Sequence, residues 1–258
     1  PWGCGRCSRC RAGIENYCEI FPRGNPVGGL GLDGGMAEFL RVPSTRFMVP
    51  LRTLDPASAA PLADAALTPY HAIKRSGEVL TPGSTAVVIG VGGLGHLAVQ
   101  ILKATTAAKV VAVDTDDDKI QLAKELGADE AVSPDQAQEA VGDLSHNPTR
   151  RANVVLDFVG NEQTMSLAAS CVGTLGHLTV VGLGMGTLPF NVFTLPYEVS
   201  VASTYWGSLP ELFEVVALAE AGKIGVHIEK FPLEKAADAY DAMRSGSLRG
   251  RAVIVPNS

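Results

Sequence analysis

One glycine-rich turn, placed between an apolar run and a helical pattern, constrains the fold of this chain more than any other feature. Thr85–Ile89 is short, apolar and rich in β-branched residues, which is typical of a strand buried on both faces. A Gly-x-Gly-x-x-Gly motif at residues 90–95 follows it, and apolar residues then recur at helical spacing. A second apolar run, Lys109–Val113, ends in Asp114, 19 residues after the last glycine. This order predicts a strand–turn–helix–strand unit of the dinucleotide-binding kind.

The residues of this turn suit the binding of a pyrophosphate. Gly90 permits the tight turn, Gly92 lets the backbone approach the ligand closely, and Gly95 lets the helix pack on the strand. With Gly93 and Leu94, they bring the amides of a helix N-terminus next to the phosphate charge. A glycine-rich turn that binds no ligand is the alternative interpretation.

The acidic residues after the second strand favour NAD over NADP. Asp114 would accept hydrogen bonds from the hydroxyls of the adenosine ribose. Asp116, Asp117 and Asp118 follow, so a 2′-phosphate would face carboxylates, and no arginine is placed to bind it. We therefore predict NAD as the cofactor. The three later aspartates are expected mainly to begin the next helix, where acids suit the helix dipole.

Strands and helices continue to alternate after this unit. Further strands are predicted near residues 131–133, 152–159 and 177–181, and helices over 116–126, near 135–145 and over 161–172. Such alternation is typical of the α/β class, so we predict a doubly wound parallel sheet of the Rossmann type.

The ends of two of these strands supply further candidate cofactor contacts. Ligands of such sheets bind at the carboxyl ends of the strands. On this basis Phe158, Val159, Gly182 and Leu183 are expected to line the cofactor crevice. The alternative is that they form only strand-to-loop turns.

Four of the five cysteines stand within the first 18 residues. Cys4, Cys7, Cys10 and Cys18 have the spacing C-x2-C-x2-C-x7-C, and only Cys171 lies elsewhere. A secreted disulfide scaffold is usually shorter and spreads its cysteines through the chain. The cluster therefore predicts a closed, structural Zn²⁺ site. An iron–sulfur cluster is the nearest alternative, although the long last gap and the lack of a second cluster speak against it.

Charge and hydropathy exclude several classes of partner. The net charge is −6 and the pI about 5.4, which disfavours nucleic acid and anionic membranes as partners. The sequence shows no signal peptide and no apolar run near the roughly 20 residues that span a bilayer. We therefore expect a cytoplasmic protein.

The segments on either side of the predicted sheet do not fit its pattern. Residues 1–62 are rich in loops and contain the cysteine lobe, whereas residues 208–258 carry two helices and two strands. We expect these two segments to form one second domain, with residues 63–207 as the NAD-binding domain. The helices are predicted near 210–221 and 233–244, and the strands near 226–231 and over 252–255.

The combination of a zinc–thiolate lobe and an NAD-type fold resembles the zinc-containing medium-chain alcohol dehydrogenases, above all the bacterial NAD-dependent enzymes that oxidise secondary alcohols. The resemblance covers essentially the whole chain. The motifs that carry it are GCGRCSRCRAGIENYC, GLDGGMAEFL, PLADAALTPYHAI, VIGVGGLGHLAVQ, VVAVDTDDDK, LDFVG, VVGLG, YWGS and GSLRGRAV. It implies that the second domain is GroES-like and β-rich.

The resemblance also implies further site residues. The family uses a second, catalytic zinc that polarises the alcohol oxygen while hydride passes to the nicotinamide. Asp64 stands at the position of one ligand of that zinc, Thr68 at a nicotinamide contact, and Arg249 at a pyrophosphate contact. On the residues alone, a surface acid near a helix start is the favoured interpretation of Asp64, and a solvated cation that of Arg249.

This sequence lacks the N-terminal part of the family pattern, which carries the other catalytic zinc ligands and much of the substrate pocket. We therefore expect a fragment with an incomplete GroES-like domain, and little or no activity from this fragment alone. Alternatives are a polyol or threonine-type dehydrogenase of the same family, a non-catalytic NAD-binding module, and a thiol redox or zinc-storage protein. The resemblance implies a small alcohol or ketone as substrate and a homodimer or homotetramer.

Overall fold

The computed structural model describes residues 2–20, 27–142 and 151–256, and it divides into two compact units. One unit is continuous and comprises Thr68–Thr204. The other combines both ends of the chain, Pro1–Leu67 and Tyr205–Ser258. The domain boundaries expected from the sequence lie at 62/63 and 207/208.

The described residues form ten strands and nine α-helices, joined by short 3-10 turns. The strands are β1 (Val27–Gly28), β2 (Gly31–Leu32), β3 (Thr85–Ile89), β4 (Lys109–Val113), β5 (Glu130–Val132), β6 (Ala152–Asp157), β7 (Val172–Val180), β8 (Ser200–Ser203), β9 (Ile228–Pro232) and β10 (Arg251–Val255). The helices are α1 (Ser8–Arg11), α2 (Pro56–Ala59), α3 (Leu67–Arg75), α4 (Gly95–Thr105), α5 (Asp117–Glu125), α6 (Ala137–Val141), α7 (Glu162–Cys171), α8 (Leu209–Glu220) and α9 (Ala236–Ser245).

The continuous unit contains a six-stranded parallel sheet in the order β5-β4-β3-β6-β7-β8. The chain runs outward from β3 through β4 to β5, and then returns to place β6, β7 and β8 on the other side of β3. This confirms the predicted doubly wound α/β fold. The strand order reverses between β3 and β6, and such switch points are where ligands bind in this class of sheet.

The sheet is buried on both faces, as its continuous apolar strands predict. Val87 of β3, Val111 of β4 and Leu156 of β6 are fully buried. Helix α4 lays Leu97 and Ile101, also fully buried, into this core. Burial of one such side chain contributes about 1.5–3 kcal/mol, so the strand ends are held on a rigid base.

Three elements of this unit differ from the prediction. Strand β6 ends at Asp157 and does not continue to residue 159, because the Asp157 side chain turns the chain there. Strand β7 begins at Val172, directly after α7, with a register shift against β6. The helix predicted near 135–145 is a 3-10 turn followed by α6, and its last residues lie outside the described part of the chain.

The discontinuous unit contains the cysteine lobe at one end of the chain and, at the other, the parallel pair β9–β10 with α9. Helix α8 begins with a capping box, in which Ser208 and Glu211 satisfy each other's backbone amides. The two chain ends are joined by hydrogen bonds, such as that from Asn16 Nδ2 to the Tyr205 carbonyl at 3.0 Å.

Across both units, no described helix combines the length and the apolar character that a membrane span requires.

Candidate functional site

The glycine turn after β3 has the close backbone approaches that its sequence predicts. Gly90 has a φ of 87°, and a Cβ atom there would lie 2.7 Å from Val159 Cγ2. At Gly95 a Cβ would lie 1.8 Å from the Gly90 carbonyl oxygen, so only glycine lets α4 start this close to the strand. Around Gly92, in contrast, a Cβ would meet no atom within 4 Å. The turn is therefore packed tightly on its inner side and open at its tip.

The half-buried carboxylate of Asp114 lies beside this turn, at the end of β4. Its Oδ2 accepts a hydrogen bond from the Val91 amide at 2.7 Å, and its Oδ1 accepts one from the Asp116 amide at 3.1 Å. A carboxylate has about four lone-pair sites, so two remain for hydroxyl donors. The neighbouring Asp116 accepts from the Asp118 amide at 2.9 Å and is the N-cap of α5, as the sequence predicts for this acidic run.

A second carboxylate, Asp157, organises the turn after β6, and sequence reasoning missed it. It is fully buried. Its Oδ1 accepts from the amides of Val159 and Gly160, both at 2.9 Å, and its Oδ2 accepts from the Thr164 hydroxyl at 2.9 Å. An acid at the end of an otherwise apolar strand, three residues before a glycine, is the signal that would have identified it.

Of the four predicted strand-end residues, two contact the glycine turn and a third packs against one of these two. The Phe158 amide donates to the Ile89 carbonyl at 2.9 Å, and the Val159 side chain contacts the face of Gly90. Gly182 lies against the backbone of Val159, where a Cβ would come within 2.2 Å of the Val159 carbonyl carbon. Leu183 instead projects outward and is 89% exposed.

These features fit the adenosine diphosphate half of a dinucleotide. The N-terminus of a helix attracts anions, and helix α4 begins at Gly95, next to the open tip at Gly92. Asp114 supplies an acceptor beside the same turn. The turn thus offers a site for a phosphate group, and the carboxylate offers an acceptor for a sugar hydroxyl.

The four clustered cysteines form the only group of three or more candidate metal ligands within residues 2–20, 27–142 and 151–256. Their sulfur atoms all lie within 4.8 Å of one another, and the Cys4–Cys10 and Cys7–Cys18 pairs are 3.9 Å apart. A tetrahedral Zn²⁺ with Zn–S bonds of about 2.3 Å requires S–S distances of about 3.8 Å. The cluster therefore fits the size of a closed zinc–thiolate site.

Backbone amides prepare the sulfur atoms for this role. The amides of Arg6 and Cys7, each 3.4 Å from Cys4 Sγ, lower the pKa of the Cys4 thiol to about 6. The Cys10 amide lowers the pKa of Cys7 in the same way. Burial acts in the opposite direction on Cys10 and raises its pKa to about 12, so a metal must displace a proton there.

Cys171 lies apart from this cluster, in the core of the other unit. It is 1% exposed at the end of α7, and burial raises the pKa of its thiol. Cys171 therefore acts as a small apolar side chain of the core.

Asp64, the predicted ligand of a catalytic zinc, is bound here by two side chains. Its Oδ1 accepts from Trp206 Nε1 at 3.0 Å, and its Oδ2 forms an ion pair with Arg251 Nη2 at 2.8 Å. In the described part of the chain, Asp64 belongs to no group of three or more candidate metal ligands. The described residues therefore do not assemble a catalytic zinc site around Asp64.

Thr68 and Arg249 are the other two site residues that the resemblance implies. Thr68 is 7% exposed in the first turn of α3. The Arg249 amide donates to Glu229 Oε1 at 2.8 Å, next to the start of β10. Their predicted contacts with the nicotinamide and the pyrophosphate stay predictions.

Comparisons with known proteins agree with this geometry. Residues 93–221, half of the chain, match the zinc-binding dehydrogenase family. The chain is 35% identical to an NAD-dependent alcohol dehydrogenase of Sulfolobus acidocaldarius, over 98% of this chain and 73% of that protein. It is 33% identical to a D-arabinose 1-dehydrogenase (NADP(+)) of Saccharolobus solfataricus, over 99% of this chain and 72% of that protein.

A solved structure shows the same similarity in three dimensions. The alcohol dehydrogenase of Aeropyrum pernix superposes with a TM-score of 0.87 at 37% identity, covering 98% of this chain and 73% of that one. The chain thus spans about three quarters of the length of the proteins it matches.

Proposed function

Since this chain belongs to the zinc-binding dehydrogenase family, we propose that it is part of an NAD-dependent zinc alcohol dehydrogenase, which transfers hydride reversibly between an alcohol or ketone and NAD. The observation that carries the proposal is the joint position of the open glycine tip and the Asp114 carboxylate, which fit a pyrophosphate and the sugar beside it. The bound NAD supplies the hydride acceptor.

The residues of this chain bind and orient the cofactor. The glycine turn at the N-terminus of α4 would hold the pyrophosphate, and Asp114 would accept hydrogen bonds from the adenosine ribose. Phe158, whose amide donates to the Ile89 carbonyl, and Val159, whose amide donates to Asp157, support the opposite side of the turn. With the pyrophosphate and the adenosine ribose held, the nicotinamide would be tethered near the site, which would reduce the entropic cost of bringing it to the substrate.

The four-cysteine cluster is proposed to hold the structural zinc. All four ligand positions of a tetrahedral ion are occupied by thiolates, so such an ion has no open position for substrate. Its contribution is to fix the cysteine lobe. Asp64 as a ligand of the catalytic zinc stays a prediction, because its carboxylate is paired with Arg251 and Trp206 in the described residues.

Binding of NADH by the zinc-loaded 258-residue chain tests the proposal. We expect calorimetry to record binding of NADH, and weaker binding of NADPH because of the carboxylates around residue 114. The absence of heat with NADH, while the chain is folded and holds its zinc, would contradict the function. A screen of secondary alcohols with the complete enzyme then tests the proposed substrate class.

A sugar or polyol is the second candidate substrate. The similarity to a D-arabinose 1-dehydrogenase favours it, since that protein matches nearly the whole of this chain at 33% identity. Turnover of polyols or aldoses in the same screen, with no turnover of simple secondary alcohols, would select this candidate.

A homo-oligomer in the cytoplasm completes the proposal. Strand β8 stands at one edge of the described sheet, and its Val201 side chain is 46% exposed. Exposed sheet edges are usually covered in native proteins, and a second copy of the chain would cover this one. We expect Val201→Lys to lower the molar mass of the assembly measured by light scattering, whereas an unchanged molar mass would show that β8 is not the contact between copies.

The proposed location in the cytoplasm is supported by the cysteines. All five are free thiols, which suits a reducing compartment.

A further inference from the structure

We propose that His96 is a positioning residue for the pyrophosphate, and that it acts by holding the Gly92–Gly93 peptide in one orientation. This inference rests on the proposed NAD binding and assigns a task to a side chain that the cofactor itself does not touch. His96 lies in the first turn of α4, only 1% exposed, directly beneath the glycine turn.

The imidazole makes a defined contact with the turn. His96 Nδ1 lies 2.8 Å from the Gly92 carbonyl oxygen. A carbonyl only accepts hydrogen bonds, so the Nδ1 nitrogen must carry the proton and donate it. The backbone amide of His96 donates to the same oxygen at 3.2 Å. Two donors from one residue therefore hold this carbonyl toward the helix.

The orientation of the carbonyl fixes the orientation of the next amide. The C=O and N–H groups of a trans peptide point in opposite directions, and the described residues contain no cis peptide. Because the Gly92 oxygen points toward His96, the Gly93 N–H points away from α4. That side of the turn is its open tip, where Gly92 is exposed and has no neighbour within 4 Å of a Cβ position. The Gly93 amide is thus directed to the place proposed for the phosphate.

A lock on this particular peptide matters because two glycines flank it. Gly92 and Gly93 have no side chains to restrict their dihedral angles, so the peptide between them is freer to rotate than any other in the turn. An amide that is already oriented pays less entropy when it binds an anion. Without His96, the entropy lost in fixing this peptide would offset part of the binding free energy gained from the close approach at Gly92. The hydrogen bond from His96 restricts the rotation before the ligand binds.

A buried histidine that only fills space is the competing explanation. Two variants separate the explanations, because the side-chain nitrogen of asparagine takes nearly the place of Nδ1, whereas that of glutamine takes the place of Nε2. His96→Asn therefore keeps the donor to Gly92 but leaves a gap in the core. His96→Gln fills the core better but moves the donor away from Gly92.

The test measures three ligands by competition against NADH fluorescence: NAD, ADP-ribose and adenosine. For His96→Gln we expect about five- to tenfold weaker binding of NAD and ADP-ribose, the worth of one hydrogen bond, and unchanged binding of adenosine, which has no phosphate. For His96→Asn we expect binding within about twofold of the wild type, despite a lower melting temperature. Should the glutamine variant not fold, His96→Leu removes the same hydrogen bond with a side chain of similar size.

Each contrary result has a separate meaning. If both variants bind as the wild type does, or if affinity follows melting temperature, the role of His96 is overturned while NAD binding stands. An equal loss of adenosine binding would likewise overturn it, because the effect would not depend on phosphate. If the wild-type chain binds neither NADH nor ADP-ribose, the proposed function itself fails, and this inference fails with it.

Discussion

The carboxylate of Asp114 accepts a hydrogen bond of 2.7 Å from the backbone amide of Val91. Val91 is the second residue of the glycine turn, and Asp114 follows the neighbouring strand, 23 residues later. The bond joins the proposed sugar acceptor to the proposed phosphate cradle. A change at Asp114 therefore affects both parts of the adenosine site.

Replacement of Asp114 by asparagine is expected to weaken NAD binding about tenfold. Hydrogen bonds to an ionised acceptor are roughly twice as strong as neutral ones, and the amide offers one acceptor oxygen in place of two. The matched control is Asp116→Asn, which removes the same charge two residues away at a helix N-cap, where asparagine serves as well as aspartate. Calorimetry with NADH measures both variants, and equal affinities would contradict the ribose role of Asp114.

Removal of the Asp157 carboxylate is expected to destabilise the continuous unit. Asp157→Ala leaves the amides of Val159 and Gly160 without their acceptor, at a cost of about 3 kcal/mol in the free energy of unfolding. Asp157→Asn should cost about 1 kcal/mol, since its oxygen can still accept from the amides and Thr164 can donate to the Asn161 carbonyl instead. Urea titration measures the difference, and equal losses would show that the carboxylate does not organise this turn.

Loss of one cysteine of the cluster is expected to weaken zinc binding by more than about 100-fold, since changes even to groups around metal ligands cost 10–100-fold. Cys4→Ser should therefore leave the purified chain nearly free of zinc and lower its melting temperature. Cys171→Ser is the control, because Cys171 is buried in α7 and should leave the metal content unchanged. Metal analysis that finds iron, or zinc undiminished in Cys4→Ser, would contradict the structural zinc site.

The ion pair between Asp64 and Arg251 is expected to contribute modestly to stability. Its side chains are 43% and 34% exposed, so solvent screens the 2.8 Å contact. A double-mutant cycle with Asp64→Asn and Arg251→Met should therefore give a coupling energy of about 0.5–1 kcal/mol, and added salt should reduce it.

Whether Asp64 also binds a metal is a separate question, which turnover by the complete enzyme answers. If Asp64 is a ligand of the catalytic zinc, Asp64→Ala abolishes turnover and leaves NADH affinity unchanged, whereas normal turnover removes it from the ligand set.

The sequence predicted the centre of the fold well because its signals there are local. Strands β3 and β4 have the predicted bounds, since an apolar run that stops at a glycine or an acid marks its own end. Strand β7 was predicted to begin at His177, five residues late. Its first residues include two glycines and pair through a register shift, so they lack the apolar pattern by which a strand is recognised.

The contacts that complete the sites were less predictable because they join distant or unexpected partners. Asp64 and Arg251 are 187 residues apart, and nothing in either segment indicates that they pair. The role of Asp157 depends on backbone amides, which every residue carries, so the sequence around it does not single them out. The cysteine cluster was the opposite case, since its spacing within 15 residues already implied that the four sulfur atoms converge.

The unit built from both chain ends has a consequence for synthesis on the ribosome. Residues 68–204 are continuous, so they can fold while the rest of the chain is still being translated. The cysteine lobe cannot complete its packing until Tyr205 and the residues after it have emerged, because Asn16 binds the Tyr205 carbonyl 189 positions later. For most of translation the lobe lacks that support, so zinc bound early by the four thiolates would hold its loop in shape until the last segment has emerged.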